Sequence, residues 1–153
     1  MSVLRGLSSS LSRCSSRSGS ALQCIGKEAF SNCPQLRELQ IPASVEEIGE
    51  GCFSQSRLSR VTFASGSGLK RIGNSAFSNC LQLRQLDIPA SVEEIGEGCF
   101  SGSSSLSRVT FASGSALKRI GKEAFSGCKE LRELEIPASV ELLGGIGVRV
   151  RRV

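Results

Sequence analysis

The sequence predicts a repeat solenoid of the α/β class, in which short parallel strands stack into one sheet and short helical turns and loops form the other sides. Two observations lead to this prediction. Residues 41–53 recur without change at 88–100, and residues 58–67 recur at 106–115. The interval from one copy to the next also divides into two similar halves of about 23 residues. Repeats of this length are typical of solenoids, in which each coil buries its apolar face against the next.

One short strand is predicted in each half-repeat. Apolar and polar residues alternate there, so Leu39 and Ile41 face one way and Glu38 and Gln40 face the other. The five strand-like segments begin at Leu36, Leu58, Leu83, Leu106 and Leu131. A Pro or a Gly-Ser stretch ends each strand, and a Gly then permits a tight corner. A short helical turn, such as residues 27–33, is expected to complete the coil.

Three regions follow from the repeats. We expect about five coils in residues 21–144, a decayed and frayed repeat in residues 1–20, and an Arg-rich tail in residues 145–153. The Arg- and Ser-rich start alone would suggest an organelle transit peptide. However, residues 10–26 match residues 105–121 at eleven of seventeen positions, which favours a decayed repeat. No export signal is recognisable, and no apolar run approaches the roughly 20 residues that span a bilayer.

The composition excludes several classes of function. The 153 residues include no His, so a Ser-His-Asp triad, a Cys-His dyad and a His metal site are impossible. The net charge of +5 comes from three Arg in residues 1–20 and three in residues 145–153, while the repeats between them carry a net charge of −1. This distribution argues against a nucleic-acid-binding domain. The cationic ends leave open an electrostatic contact with an anionic partner.

Most of the seven Cys occupy repeat positions. Three of these Cys lie three residues after a Phe, in alternate coils. Two others directly precede a Phe, where other coils have Ala. The first set is Cys33, Cys80 and Cys128, and the second is Cys52 and Cys99. Alternate coils are about 10 Å apart, beyond the ~7 Å limit for a disulfide, so we expect small buried thiols and no metal site or cofactor. Cys14 and Cys24, outside these columns, are the expected reactive thiols.

Charged residues beside the Ile-Gly pairs alternate in sign from coil to coil. They are Glu46 and Glu47, Lys70 and Arg71, Glu93 and Glu94, Lys118 and Arg119, and finally Glu141. Stacked coils would place acid beside base at every step. This predicts a ladder of ion pairs whose alternation opposes slipping the stack by one coil.

The exposed side of the strands is the candidate binding surface, because a stacked sheet offers a broad, regular face. Alternation gives a first column of Glu38, Arg60, Gln85, Arg108 and Glu133 and a second column of Gln40, Thr62, Asp87, Thr110 and Glu135. This surface is predicted to be polar, mixed in charge and free of aromatic rings. Protein hot spots favour Trp, Tyr and Arg, so Arg60 and Arg108 are the natural anchors and contacts should be weak. A solvated face without a partner is the alternative.

The repeat pattern C-x-x-L-x-x-I/L-x-I-P-x-x-V-x-x-I-G-x-x-A/C-F resembles the BspA-like leucine-rich repeat over residues 21–144. The resemblance implies a right-handed leucine-rich repeat solenoid. It also implies a cell-surface or secreted location and adhesion to host, matrix or other cell-surface proteins. No enzyme activity and no cofactor are implied.

We therefore expect a non-catalytic protein-interaction module that acts in adhesion. The alternatives are an intracellular interaction module, a non-functional fragment of a longer array, and an electrostatic binder that uses its Arg-bearing ends. No specific nucleic acid and no transmembrane segment are expected. Unpaired edge strands also make end-to-end self-association possible.

Overall fold

A computed structural model of the chain describes residues 22–145 and 147–153, so the decayed repeat expected in residues 1–20 lies outside the described residues. The described part contains twelve strands and no helix. Six strands have two residues: β1 (Cys24–Ile25), β3 (Glu47–Ile48), β5 (Arg71–Ile72), β7 (Glu94–Ile95), β9 (Arg119–Ile120) and β11 (Leu142–Leu143). Six have four residues: β2 (Glu38–Ile41), β4 (Arg60–Phe63), β6 (Gln85–Ile88), β8 (Arg108–Phe111), β10 (Glu133–Ile136) and β12 (Arg149–Arg152).

All strand pairs are parallel and join successive coils, which confirms the predicted solenoid. The two-residue strands form one continuous six-stranded sheet. The four-residue strands, five of which are the strands expected from the sequence, lie on a separate face and pair two by two as β2-β4, β6-β8 and β10-β12. We call this the long-strand face. It consists of three strand pairs, whereas the sequence suggested one uninterrupted sheet.

The interruptions on the long-strand face coincide with a difference in turn length. Five residues lie between Phe63 and Leu69 after β4, and the turn after β8 is equally long, whereas three lie between Ile41 and Val45 after β2. The longer turns contain Gly66 and Gly114, whose positive φ angles of 74° and 73° suit a residue without a side chain. The coils thus alternate between a short and a long corner. On the long-strand face, the hydrogen-bonded pairing of strands stops after each long corner.

The expected helical turns are wrong, because left-handed residues interrupt each of these segments. In residues 27–33, Glu28 and Asn32 have φ angles of 55° and 56°, which a right-handed helix does not permit. The N–H of Phe30 donates to the carbonyl of Cys52 in the next coil at 2.8 Å. A helix would direct that N–H to its own segment, so bonding between coils replaces helical bonding here.

A column of stacked Phe rings runs through the centre of the solenoid. Neighbouring ring centroids are 5.1–5.5 Å apart, and neighbouring ring planes differ by 8–20°. The five rings are fully buried and belong to Phe30, Phe53, Phe77, Phe100 and Phe125. We call this column the Phe spine. Val148, at the corresponding position of the last coil, is half-buried against the same core.

The Gly after each core Ile allows the backbones of successive coils to touch. A Cβ atom on Gly73 would lie 2.8 Å from the backbone nitrogen of Glu50 in the preceding coil, closer than real Cβ atoms come. The N–H of Gly73 also donates to the carbonyl of Ile48 at 2.8 Å. The repeated Gly is therefore required by the close packing between coils, which leaves no space for a Cβ atom.

The register of the short-strand sheet stacks the charges in the predicted order. Glu47 pairs with Arg71, Arg71 with Glu94, and Glu94 with Arg119. The Arg71 Nε and Glu94 Oε2 atoms are 4.0 Å apart, with both side chains well exposed. The alternation ends where Arg119 faces Leu142. Acid and base thus alternate over four coils, although only the Arg71–Glu94 pair forms an ion pair among the described residues of this column.

Removing a central ring of the Phe spine should destabilise the fold strongly. We expect Phe77→Ala to lower the free energy of unfolding by about 3–5 kcal/mol, because it leaves a cavity between two stacked rings. Urea denaturation measures this loss. Phe111→Ala is the matched control, since Phe111 is only half-buried. The spine would be unimportant if the two substitutions cost the same.

Reversing the bases in the charge ladder should reduce thermal stability. We expect Arg71→Glu with Arg119→Glu to lower the melting temperature by roughly 5 °C, because like charges then face each other between coils. Added salt should recover part of the loss by screening. The control is Arg84→Glu with Arg132→Glu, which makes the same charge change away from the ladder. Equal melting temperatures for both variants would contradict a ladder.

Candidate binding surface

The long-strand face presents the predicted columns in register. The first column pairs Glu38 with Arg60, Gln85 with Arg108, and Glu133 with Arg149. The second pairs Gln40 with Thr62, Asp87 with Thr110, and Glu135 with Arg151. Thr62 and Thr110 are half-buried, and the eight other predicted residues are exposed. The structure therefore brings all ten together on one surface, as two parallel rows of side chains.

The Arg-rich tail adds a final rung to both columns. Strand β12 pairs with β10, which places Arg149 beside Glu133 and Arg151 beside Glu135. An ion pair joins Arg151 Nη1 to Glu135 Oε1 at 3.4 Å. The sequence signal for this strand is the alternation of Val and Arg from Val148 onward. The tail thus supplies residues of the surface that were assigned from sequence to a separate region.

Within the β6-β8 pair, a hydrogen bond joins two side chains of the second column. The Thr110 hydroxyl donates a hydrogen bond to the Asp87 carboxylate. This bond fixes two neighbouring side chains and uses part of the carboxylate's capacity to accept hydrogen bonds. The middle of the surface is consequently more ordered than a row of independent polar side chains would be.

Two of the recesses on this surface, both located where strand pairing stops, contain an aromatic ring. One recess, of about 530 Å³, lies between β4 and β6 and is lined by Phe63, Asp87 and Pro89. The other, of about 750 Å³, lies between β8 and β10 and is lined by Phe111 and Pro137 together with Glu135 and Arg108. The prediction that this face is free of aromatic rings is therefore wrong at its edge.

The alternation of apolar and polar residues could not by itself reveal that the rings of Phe63 and Phe111 are half-exposed. Phe63 has the same inward parity as Val61, and the equivalent Ile41 in the neighbouring coil is fully buried. The available signal was the longer turn after each of these Phe residues. A turn with two more residues leaves a wider corner, where even an inward-facing ring stays half-exposed.

The first Cys column alternates with Ser and fills the core. Along it lie Cys33, Ser56, Cys80, Ser103 and Cys128, and all but the half-buried Cys33 are buried. The Ser103 hydroxyl accepts a bond from the Cys80 N–H at 3.1 Å and donates to the Phe77 carbonyl at 2.7 Å. The Cys80 thiol donates to the carbonyl of Phe53 at 3.2 Å. The column therefore satisfies buried backbone groups, which is a structural role.

Burial makes these thiols poor nucleophiles. It raises the pKa of Cys80 and of Cys128 to about 11, and it raises the pKa of Cys52 and of Cys99 further still. A thiol that stays protonated at neutral pH has little reactivity. Cys24 is disulfide-bonded, so the prediction of a reactive thiol there is wrong. Cys14 lies outside the described residues.

Residues 22–145 and 147–153 contain no group of three or more His, Cys, Asp or Glu side chains that could hold a metal ion. The same residues contain no helix that could cross a membrane.

The stacked parallel coils, the Phe spine and the polar strand face together define a leucine-rich repeat solenoid. A model of the BspA-type leucine-rich repeat region, with six copies, matches residues 20–145. The chain therefore belongs to the BspA-type leucine-rich repeat family, which confirms the assignment from the repeat pattern. No curated protein sequence matches the chain.

Several solved structures have the same fold. The pneumococcal vaccine antigen PcpA is 31% identical over 87% of this chain, with a TM-score of 0.80. The T. pallidum leucine-rich repeat protein is 27% identical over 86% of it, with a TM-score of 0.72. A leucine-rich cell surface protein from Faecalibacterium prausnitzii is 26% identical over 90% of it, with a TM-score of 0.56. This chain spans 36%, 66% and 45% of the lengths of those three chains, respectively.

The raised pKa of two buried thiols predicts a loss of stability in alkali. The ordinary thiol pKa is 9.0, so the unfolded chain ionises first while Cys80 stays neutral up to its folded pKa of about 11. Stability is therefore full below pH 9 and falls as the pH rises to 11, by roughly 1 kcal/mol per thiol between pH 9 and 10. Urea denaturation across this range measures the decline.

The matched variant is Cys80→Ser with Cys128→Ser, because Ser already occupies the same position in the alternate coils, at Ser56 and Ser103. It should lose less stability between pH 9 and 11 than the unmodified chain. If both chains lost the same stability between pH 9 and 11, these two thiols would not be the cause of the loss.

Proposed function

We propose that this chain is a non-catalytic protein-interaction module that acts in adhesion at a cell surface, through the two columns of the long-strand face. The observation that carries the proposal is the register of these columns, which presents ten polar side chains and two aromatic recesses on one surface. Two solved relatives add support, since one is described as a vaccine antigen and another as a cell surface protein.

The recess between β8 and β10 is the best candidate for the centre of the contact. Arg108, the half-buried Phe111 and the carboxylates of Glu133 and Glu135 line it together. Arg and aromatic side chains beside a concavity are the features from which protein hot spots are built. The β4-β6 recess is also lined by an aromatic ring and a carboxylate, those of Phe63 and Asp87, but by no Arg. A partner that reaches both recesses would gain from two modest contacts at once.

The Arg-bearing C-terminal end supports a purely electrostatic function less well. The Arg151 guanidinium is paired with Glu135, and Arg152 Nη1 donates to the Val140 carbonyl at 3.0 Å. These two Arg side chains are therefore engaged within the chain. Arg60 and Arg108 take part in no ion pair among the described residues and are better placed to meet a partner.

Substitution of the two column arginines tests the proposed surface. We expect Arg60→Ala with Arg108→Ala to weaken binding to a panel of immobilised extracellular-matrix proteins by at least about tenfold, because hot-spot arginines dominate such contacts. Lys129→Ala with Arg132→Ala is the matched control, because it removes the same charge from exposed residues that line no recess of the long-strand face. Binding that is equal for both variants would exclude the columns as the interaction surface.

Location in the source cell tests the adhesion part separately. Protease treatment of intact cells should remove the protein if it is displayed at the surface, while an internal marker protein stays intact. Complete protection from the protease, with the protein recovered only after lysis, would overturn adhesion. It would leave an interaction module that acts inside the cell.

A further inference from the structure

We propose that the chain has a second binding site, a basic groove on the side of its first coils that takes an extended acidic segment of a partner protein. The groove crosses three successive coils and has a volume of about 870 Å³. Six of its lining residues carry the chemistry: Asn32, Arg37, Gln55, Arg57, Asn79 and Leu81. None of the ten column residues of the long-strand face lines this groove.

The charge of the groove is positive and uncompensated. Arg37 and Arg57 are both exposed, and no Asp or Glu is among the described residues that line the groove. The ion pairs of the described chain lie elsewhere: Lys27–Glu50, Arg71–Glu94 and Arg151–Glu135. A guanidinium group binds a carboxylate with two parallel hydrogen bonds, so the groove is complementary to Asp or Glu side chains.

A row of side-chain amides lies beside the two arginines. Asn32, Gln55 and Asn79 occupy the same position in three successive coils, with left-handed φ angles of 56°, 58° and 55°. The next two coils have Gly102 and Gly127 at this position, both with φ of 76°. Glycine adopts this conformation without steric cost, so the amides are present despite a cost. An amide both donates and accepts hydrogen bonds, as does the backbone of an extended peptide.

The far end of the groove is apolar. Leu81 is 54% exposed and is one of three large apolar side chains exposed in the described part of the chain. At the same position the other coils carry Pro34, Arg57, Ser104 and Lys129. A sulfated saccharide would match the arginines but offers nothing to an exposed Leu. A peptide can offer both a carboxylate and an apolar side chain, so a protein partner fits the groove better.

The spacing of the coils sets the spacing within the ligand. Arg37 and Leu81 belong to the first and third coils of the groove, which are about 10 Å apart at ~4.8 Å per coil. An extended peptide rises about 3.3 Å per residue, so about three residues cover this distance. The segment we propose therefore carries an acidic residue and, about three positions away, an apolar one. It lies along the solenoid axis, across the three coils of the groove.

Fluorescence anisotropy with the full chain and a labelled probe peptide tests the groove. The probe has the core Glu-Glu-Ser-Leu, and the two control peptides replace both Glu by Gln or the Leu by Ser. We expect the probe to bind and both controls to bind less well. Arg37→Glu with Arg57→Glu should weaken probe binding by at least about tenfold. Arg132→Glu, at the position equivalent to Arg37 in a later coil, should leave it unchanged.

Several results would overturn the proposal. They are equal affinity for the Glu and Gln peptides, equal affinity of the doubly reversed variant, or binding of heparin by the groove without binding of the probe. Thermal melting checks that the reversed variant is folded, and Arg37→Gln with Arg57→Gln replaces it if it is not. Arg60→Ala with Arg108→Ala should keep full probe binding, so failure of the groove and failure of the long-strand face are distinguishable.

Discussion

Close contact between successive coils is the constraint on which the rest of the structure depends. Backbone N–H groups donate to carbonyls of the coils on either side, and the coils approach so closely after each core Ile that only a Gly fits there. The Phe spine fills the interior at the same spacing, with centroids 5.1–5.5 Å apart. A residue at a given repeat position is thereby placed directly over its counterpart in the neighbouring coil. Every column on the surface follows from this.

The sequence alone was sufficient wherever the repeat itself decides the structure. The repeat pattern resembles that of the family to which the chain belongs, and its periodicity predicted the strand residues from Glu38 to Glu135 and the alternation of Glu47, Arg71 and Glu94. The segments predicted as helical turns could not be predicted correctly in this way. They are not helical because residues such as Asn32 are left-handed, and the alternation of apolar and polar residues does not reveal this. The exposure of Phe63 depends on corner width, which is a property of two coils together and not of one segment.

The candidate sites divide along the same line. The long-strand columns repeat in every coil and were therefore visible in the sequence. The basic groove instead depends on differences between coils, such as Gln55 where Gly102 stands later and Leu81 where Lys129 stands later. In a chain of near-identical repeats, the residues that are the same in every coil reflect what packing requires of all coils. The positions that depart from the repeat are the ones at which a specific contact can be distinguished from the scaffold.

The alternation of short and long corners makes the structural repeat two coils long, not one. Each pair contributes one aromatic recess, seen at Phe63 and again at Phe111, 48 residues later. Loss or gain of one such pair by recombination between the identical segments would keep the register, the charge alternation and the Phe spine intact. The number of recesses would change by one at each event. The array could thus vary the valency of its surface in whole steps while its core remained the same.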